Sequence, residues 1–201
     1  MYTKVTGFSL VETLVAISIL LIVIVGPMTI IAGAAQSTNF SSEQVTASFL
    51  AQEGLELAQK ERDDLVLSAF NAGATEGSNT AWTALVDPSG TYEYCIDTDG
   101  DGAEVCSLEI ETDASGTVTV DDCSGTNRLN CQLYLDASAG VRSVYTHNSA
   151  GTQTPYNRTV RFEPVGTQEV KITSRVTWRT GEQRQEQSVE VVTYVSNVYG
   201  R

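Results

Sequence analysis

Apolar and polar positions alternate along this chain in three rhythms, and each predicts a different kind of element. No charged residue stands between Glu12 and Glu43, and Leu14 to Ala35 is apolar almost throughout. At about 1.5 Å per residue, such a run crosses the roughly 30 Å of a bilayer core as one helix. A helix buried in a globular core is seldom apolar on every side for so long, so the pattern predicts a membrane-spanning helix. The second rhythm begins near Gln36 and lasts to Phe70. AQEGLELAQKERDDLVLSAF is rich in good helix formers, and Leu50, Gly54, Leu57, Ala58 and Leu65 recur at helical spacing, which predicts one face packed on a globular head. Unbroken from Phe8 to Leu67, the helix would be on the order of 90 Å long, a spine rather than one element of a compact fold. Gly26-Pro27 inside it predicts a kink or a locally melted turn, because proline removes a backbone donor.

The third rhythm has a period of two. NAGATEGSNTAWT, residues 71–83, is small and polar and predicts a loop. Beyond it, Val170, Ile172, Val176 and Trp178 alternate with Lys171, Thr173, Arg175 and Thr177, which predicts a strand with one face on a core and one in water. Asn157 to Glu163 and Ser188 to Ser196 repeat the style, and RTGEQ, residues 179–183, supplies a glycine turn between the last two strands. The expected fold class is α+β: a long N-terminal helical spine, transmembrane in its first half, packed against a C-terminal antiparallel sheet. Segment by segment, this is a leader (1–7), a transmembrane helix (8–35), an amphipathic extension (36–70), a loop (71–83) and a strand-rich head (84–201). Within the head, residues 84–145 are expected to add shorter strands around loops.

Charge and cysteine usage set the compartment. The net charge is -13, Met1 to Gly7 holds a single lysine, Lys4, and the bulk of the acids follow the apolar run. The positive-inside tendency keeps the short N-terminal piece cytoplasmic and carries the head outside. Cys95, Cys106, Cys123 and Cys131 are even in number, lack any CxxC pair and lie in a loop-rich region. Outside the cytoplasm such a set reads as two disulfides rather than a zinc site. Of the three pairings open to four cysteines, the short-range one, Cys95 to Cys106 with Cys123 to Cys131, is preferred. From Asp63 to Asn127 there are 14 acids and no lysine or arginine, whereas Arg128 to Arg201 holds nine basic residues against six acids. Nucleic acid is therefore not an expected partner, except through the C-terminal third. There, Lys171, Arg175 and Arg179 alternate onto one strand side as a basic stripe, with no aromatic interleaved for base stacking.

One acid, Glu12, stands inside GFSLVETLVA near the start of the apolar run, where an unpaired charge costs roughly 2.5 kcal/mol or more. A short leader ending in Gly7, a following Phe8, Glu12 at the fifth place after that junction, and a long apolar helix together resemble the N-terminal signature of type IV pilins and the pseudopilins of type II secretion. The ending RVTWRTGEQRQEQSVEVVTYVSN is most similar to the PilV and GspI type minor subunits. The resemblance implies that a prepilin peptidase cuts after Gly7 on the cytoplasmic side and methylates the new amine of Phe8. It further implies that an inner-membrane assembly platform stacks the mature subunit with other pilin or pseudopilin subunits into a cell-surface or periplasmic filament. Glu12 would then pair with the N-terminal amine of a neighbour, fixing axial register as single buried polar groups do in coiled coils. Two plainer readings compete. Glu12 could snorkel to headgroups in a simple anchor, or Ala32-Gly33-Ala34 could be an ordinary signal-peptide cleavage site. The mature N-terminus separates them: methylated Phe8, Met1 or Ala35.

CIDTDGDGAEVC, residues 95–106, carries the other candidate chemistry. Asp97, Asp99 and Asp101 followed by Gly102 match the first half of a calcium loop, in which alternate aspartates converge on one ion. The twelfth position is Leu108 rather than glutamate, so Glu104 and Glu109 are the alternative closing ligands. An Asp-Gly turn clamped by a disulfide explains the same residues. The lone histidine, His147, lies in a polar stretch and is expected at the surface. No nucleophile elbow, phosphate loop or HExxH occurs, so the chain is expected to be a structural or binding protein and not an enzyme. An adhesive or DNA-binding head displayed on a filament, or a secretion pseudopilin, is the alternative.

Overall fold

The computed structural model describes residues 7, 9–73, 79–110, 116–137, 143–179 and 185–197. The chain divides into two units, Met1–Gln44 and Val45–Arg201. Helix α1 (Leu10–Asn71, 62 residues) supplies the described structure of the first unit and enters the second. In the first unit its apolar side chains face outward on every side, from Leu10 and Val11 to Ile30 and Ile31, and α1 is long and apolar enough to cross a membrane. The few hydroxyls here fold back onto the helix. Thr13 Oγ1 donates to the Leu10 carbonyl at 2.8 Å, Ser18 Oγ to Leu14 at 2.8 Å, and Thr29 Oγ1 to Gly26 at 2.8 Å, so each is satisfied without water. The turn expected to melt at Gly26-Pro27 stays helical. One missing donor costs about 3 kcal/mol, too little to open a ladder continuous on both sides.

In the second unit α1 is buried along one face by Ala47, Leu50, Ala51, Gly54, Leu55, Leu57, Ala58 and Glu61. Leu65 is partly buried against the same core. That face rests on a seven-stranded antiparallel sheet made of β1 (Cys106–Ile110), β2 (Val118–Asp122), β3 (Gln132–Asp136), β4 (Val144–Thr146), β5 (Thr152–Val165), β6 (Glu169–Trp178) and β7 (Gln187–Ser196). The fold is thus α+β, as the pattern predicts. The meander β5-β6-β7 forms one half, in the register Thr159↔Arg175↔Glu190. The other edge of β5 carries β3, which leads to β4, and touches β1, which leads to β2. The turn expected at residues 179–183 lies outside the described residues apart from Arg179.

Alternation sends Tyr156, Val160 and Phe162 of β5, and Val170, Ile172, Val176 and Trp178 of β6, into the core with the helix face. Helix and sheet meet most closely at Gly54, where an added Cβ would stand 2.4 Å from Ser174 Oγ and 3.3 Å from Arg158 Cδ. The expected loop 71–83 is corrected at its end. A short helix α2 (Thr80–Val86) begins there, burying Leu85, and Trp82 Nε1 donates to the Thr167 carbonyl at 3.1 Å. Two disulfides join Cys95 to Cys106 and Cys123 to Cys131, the short-range pairs.

Candidate functional sites

At the N-terminus, Gly7 and Glu12 are exposed, and Phe8 lies outside the described residues. Glu12 occupies the first turn of α1, its amide bonded to the Ser9 carbonyl at 3.0 Å. No hydrogen bond or ion pair to its carboxylate occurs among the described residues. An acid favours a helix N-terminus by a few tenths to about 1 kcal/mol, less than the cost of taking a carboxylate out of water. The group therefore needs water, headgroups or a cation beyond the described residues.

The acidic loop follows from its own backbone demands. Gly100 and Gly102 take φ +80° and +78°, conformations that only glycine adopts without strain, and so let the chain curl around Asp97. The Asp97 side chain is buried and accepts from Gly100 N at 2.7 Å and from Gly102 N at 3.0 Å. Asp99 accepts from Asp101 N at 3.1 Å, and Asp101 from Ala103 N at 2.7 Å. One carboxylate oxygen from each of Asp97, Asp99, Asp101 and Glu104 lies within 4.8 Å of the others. That spread suits oxygens around a single ion at the 2.3–2.6 Å of calcium coordination. Glu109 is not among them. The Cys95–Cys106 disulfide ends the loop and starts β1, which carries Glu109 away. Its carboxylate instead accepts from Thr146 Oγ1 and, at 3.0 Å, from His147 N. A guanidinium also approaches the loop, since Arg161 Nε stands 3.8 Å from Asp97 Oδ2.

One member of the basic stripe, Lys171, is held by a neighbouring acid. Lys171 Nζ is 2.5 Å from Glu163, which raises the lysine pKa through hydrogen bonding and charge. Arg175 is exposed and lies opposite Glu190, and Arg179 follows the end of β6.

A buried polar cluster lies where the sequence marked nothing. Arg158 takes an inward position of β5 and is 2% exposed; its Nη1 donates to Glu53 Oε2 at 2.8 Å and its Nη2 to the Leu108 carbonyl at 3.2 Å. His147, expected at the surface, is instead half-buried with Nε2 3.5 Å from Arg158 Nη2. Burial, and then the adjacent guanidinium, push its pKa down to about 3. One signal was present: a charge on the inward phase of an otherwise apolar alternation, Tyr156, Arg158, Val160, Phe162. The cluster is closed and its hydrogen bonds go to structural partners, so it joins helix to sheet. No family model, curated protein or solved structure matches the chain.

Proposed function

We propose that the chain is a pilin-like subunit of the minor type. It is cut after Gly7 and methylated on Phe8 by a prepilin peptidase. Before assembly it is a single-pass inner-membrane protein with its N-terminus cytoplasmic and its head outside. The assembly platform then stacks it with other pilin or pseudopilin subunits into a surface or periplasmic filament. The observation that carries this reading is Glu12: a carboxylate without a partner among the described residues, opening a helix that is apolar and exposed on every side from Leu10 to Ile31. Such a surface suits lipid first and other helices afterwards. A neighbour's amine at about 4 Å would contribute on the order of 4 kcal/mol of attraction at an effective dielectric near 20. Mass spectrometry of the mature N-terminus tests the first step, with methylated Phe8 expected and Met1 or Ala35 against it. For the second step, Glu12→Ala should be processed and inserted yet depleted from filaments; incorporation at the wild-type level refutes the role.

Calcium at the Asp97, Asp99, Asp101 and Glu104 oxygens is part of the same proposal, supported by their convergence and by the glycines that permit it. It would tie the loop to the Cys95–Cys106 disulfide without any catalytic step. Calorimetry on the full chain in mild detergent, with Asp99→Asn beside the wild type, gives the answer. Heat at millimolar calcium that vanishes in the variant is expected, and an absence of heat in the wild type removes the ligand.

A further inference from the structure

The outer faces of β5, β6 and β7, on the opposite side of the sheet from the Val160 and Val176 core, form the floor of a cleft of about 330 Å³. That volume falls within the range of small-ligand sites. Strand register lays the floor out in rows: Asn157 beside Thr177, Thr159 beside Arg175 and then Glu190, and Arg161 beside Thr173. Gly102, Ala103 and Val105, inside the first disulfide loop, and residues 123–125, at the start of the second, line its side. Glu186 joins them from the approach to β7. The walls are thus held by two cross-links and the floor by two strand ladders.

Its polar groups divide into those already engaged and those left open. Arg161 is fixed by Glu163, 3.2 Å from its Nη2, and by Asp97. Thr159 Oγ1 turns to the Arg175 carbonyl at 3.4 Å. The Arg175 guanidinium, in contrast, makes no ion pair among the described residues, although Glu190 stands opposite it in register. Thr173 is only 4% exposed, and its hydroxyl has no hydrogen-bond partner among the described residues. Leaving a buried hydroxyl unpaired costs roughly 1–3 kcal/mol, a cost that a polar ligand would relieve.

The open groups are one guanidinium, one carboxylate and threonine hydroxyls. A guanidinium presents a planar fork that matches a carboxylate in two parallel hydrogen bonds. Glu190 accepts from a hydroxyl, and a threonine both donates and accepts. Among the described residues no aromatic side chain lines the cleft, so they offer no platform for a nucleobase. Glu186 and Glu190 set negative charge against a polyphosphate strand. We propose that this cleft binds a small, hydroxyl-rich carboxylate, the chemistry of a sugar acid, with its carboxylate on Arg175 and its hydroxyls on Thr173, Thr177 and Glu190. The site is independent of filament assembly and stands or falls separately from it.

The test is calorimetric titration of the full chain in mild detergent with glucuronate, glucose and acetate. Saturable glucuronate binding at roughly millimolar affinity or better is expected. Glucose and acetate, each lacking half of the contacts, should bind at least tenfold more weakly. Arg175 is exposed, so Arg175→Gln should keep the fold, checked by circular dichroism, and lose at least tenfold in glucuronate affinity. Thr173→Val should lose several-fold. The proposal is overturned by an absence of saturable glucuronate binding, by acetate binding as tightly as glucuronate, or by glucuronate affinity that Arg175→Gln leaves unchanged.

Discussion

The closest approach of α1 to the sheet makes a sharp prediction about Gly54. An alanine there would place its Cβ 2.4 Å from Ser174 Oγ, with Ser174 Cβ and Arg158 Cδ each at 3.3 Å. In an exposed helix the change from glycine to alanine stabilises by about 1 kcal/mol. Here the 2.4 Å contact lies far inside van der Waals distance and Ser174 is fully buried, so the substitution overpacks the joint at a cost of about 1–3 kcal/mol. Gly54→Ala should therefore destabilise by about 1–2 kcal/mol, or roughly 2–8 °C in Tm for a unit of this size. Ser174→Ala removes the 2.4 Å contact and leaves only the two at 3.3 Å. Because the Ser174 hydroxyl has no hydrogen-bond partner among the described residues, that substitution alone should be neutral or slightly stabilising. On the Ser174→Ala background, Gly54→Ala should then be neutral or stabilising by up to about 1 kcal/mol, a coupling of about 1–3 kcal/mol between the two sites. Urea unfolding of the four proteins in mild detergent, followed by the fluorescence of Trp82 and of buried Trp178, measures each corner of the cycle. An equal effect of Gly54→Ala on both backgrounds would refute the steric account.

Three other perturbations address the polar parts of the head. Glu53→Gln leaves the buried Arg158 guanidinium without its anion and should cost about 2 kcal/mol, less than the 3–5 for a fully buried pair because Glu53 is 42% exposed. Arg158→Met should cost less than Glu53→Gln, since the carboxylate left behind can turn to water; the opposite order would sink the assignment. His147 has a folded pKa near 3 against about 6.5 unfolded. The unfolded state therefore binds the extra proton: stability is full above about pH 6.5 and declines as the pH falls towards 3, by about 2 kcal/mol once screening at its exposed edge is allowed for. His147→Asn should flatten that slope in urea titrations run between pH 3 and 7. Replacing Cys95 and Cys106 by serine opens a loop of sequence separation 11 and should cost about 3 kcal/mol on chain-entropy grounds, visible as a lowered urea midpoint.

Periodicity carried the elements that depend on one dominant rhythm. Leu50, Gly54, Leu57 and Ala58 are buried at helical spacing, and the alternation Val170, Ile172, Val176 and Trp178 faces the core of β6. The meander was legible for the same reason. What escaped depends on contacts that no local pattern encodes. Helix α2 rests on Leu85 and Trp82 reaching a distant core and the Thr167 carbonyl, so its small polar start resembled a loop. Arg158 sits among apolar neighbours because a carboxylate 105 residues earlier and a carbonyl 50 residues earlier meet it there. In the acidic loop the alternate aspartates were readable, yet Glu109 was misplaced, since counting positions ignores the strand that the disulfide forces to begin at Cys106. The outer cleft was invisible as a site: its residues come from β5, β6, β7, two loops and the approach to β7, and only register unites them.

Helix α1 changes its chemistry along its length. From Leu10 to Ser42 every described side chain is exposed; from Ala47 onward buried positions recur every three or four residues up to Glu61. The head unit thus completes its core with the later stretch alone, and nothing in its packing calls for the apolar side chains between Leu10 and Ile31. An apolar surface of that extent is stable only in lipid or against other helices. Lipid alone explains Leu, Ile and Val but gives no reason for an acid, because a carboxylate is costly in hydrocarbon. Packed helices give a reason only if one of them presents a cation beside Glu12. Cleavage after Gly7 would create such a group on the neighbouring copy's Phe8, and with it a partner for Glu12 that exists only after processing. On the proposed function, the same carboxylate therefore disfavours the uncleaved chain in the filament and favours the cleaved one.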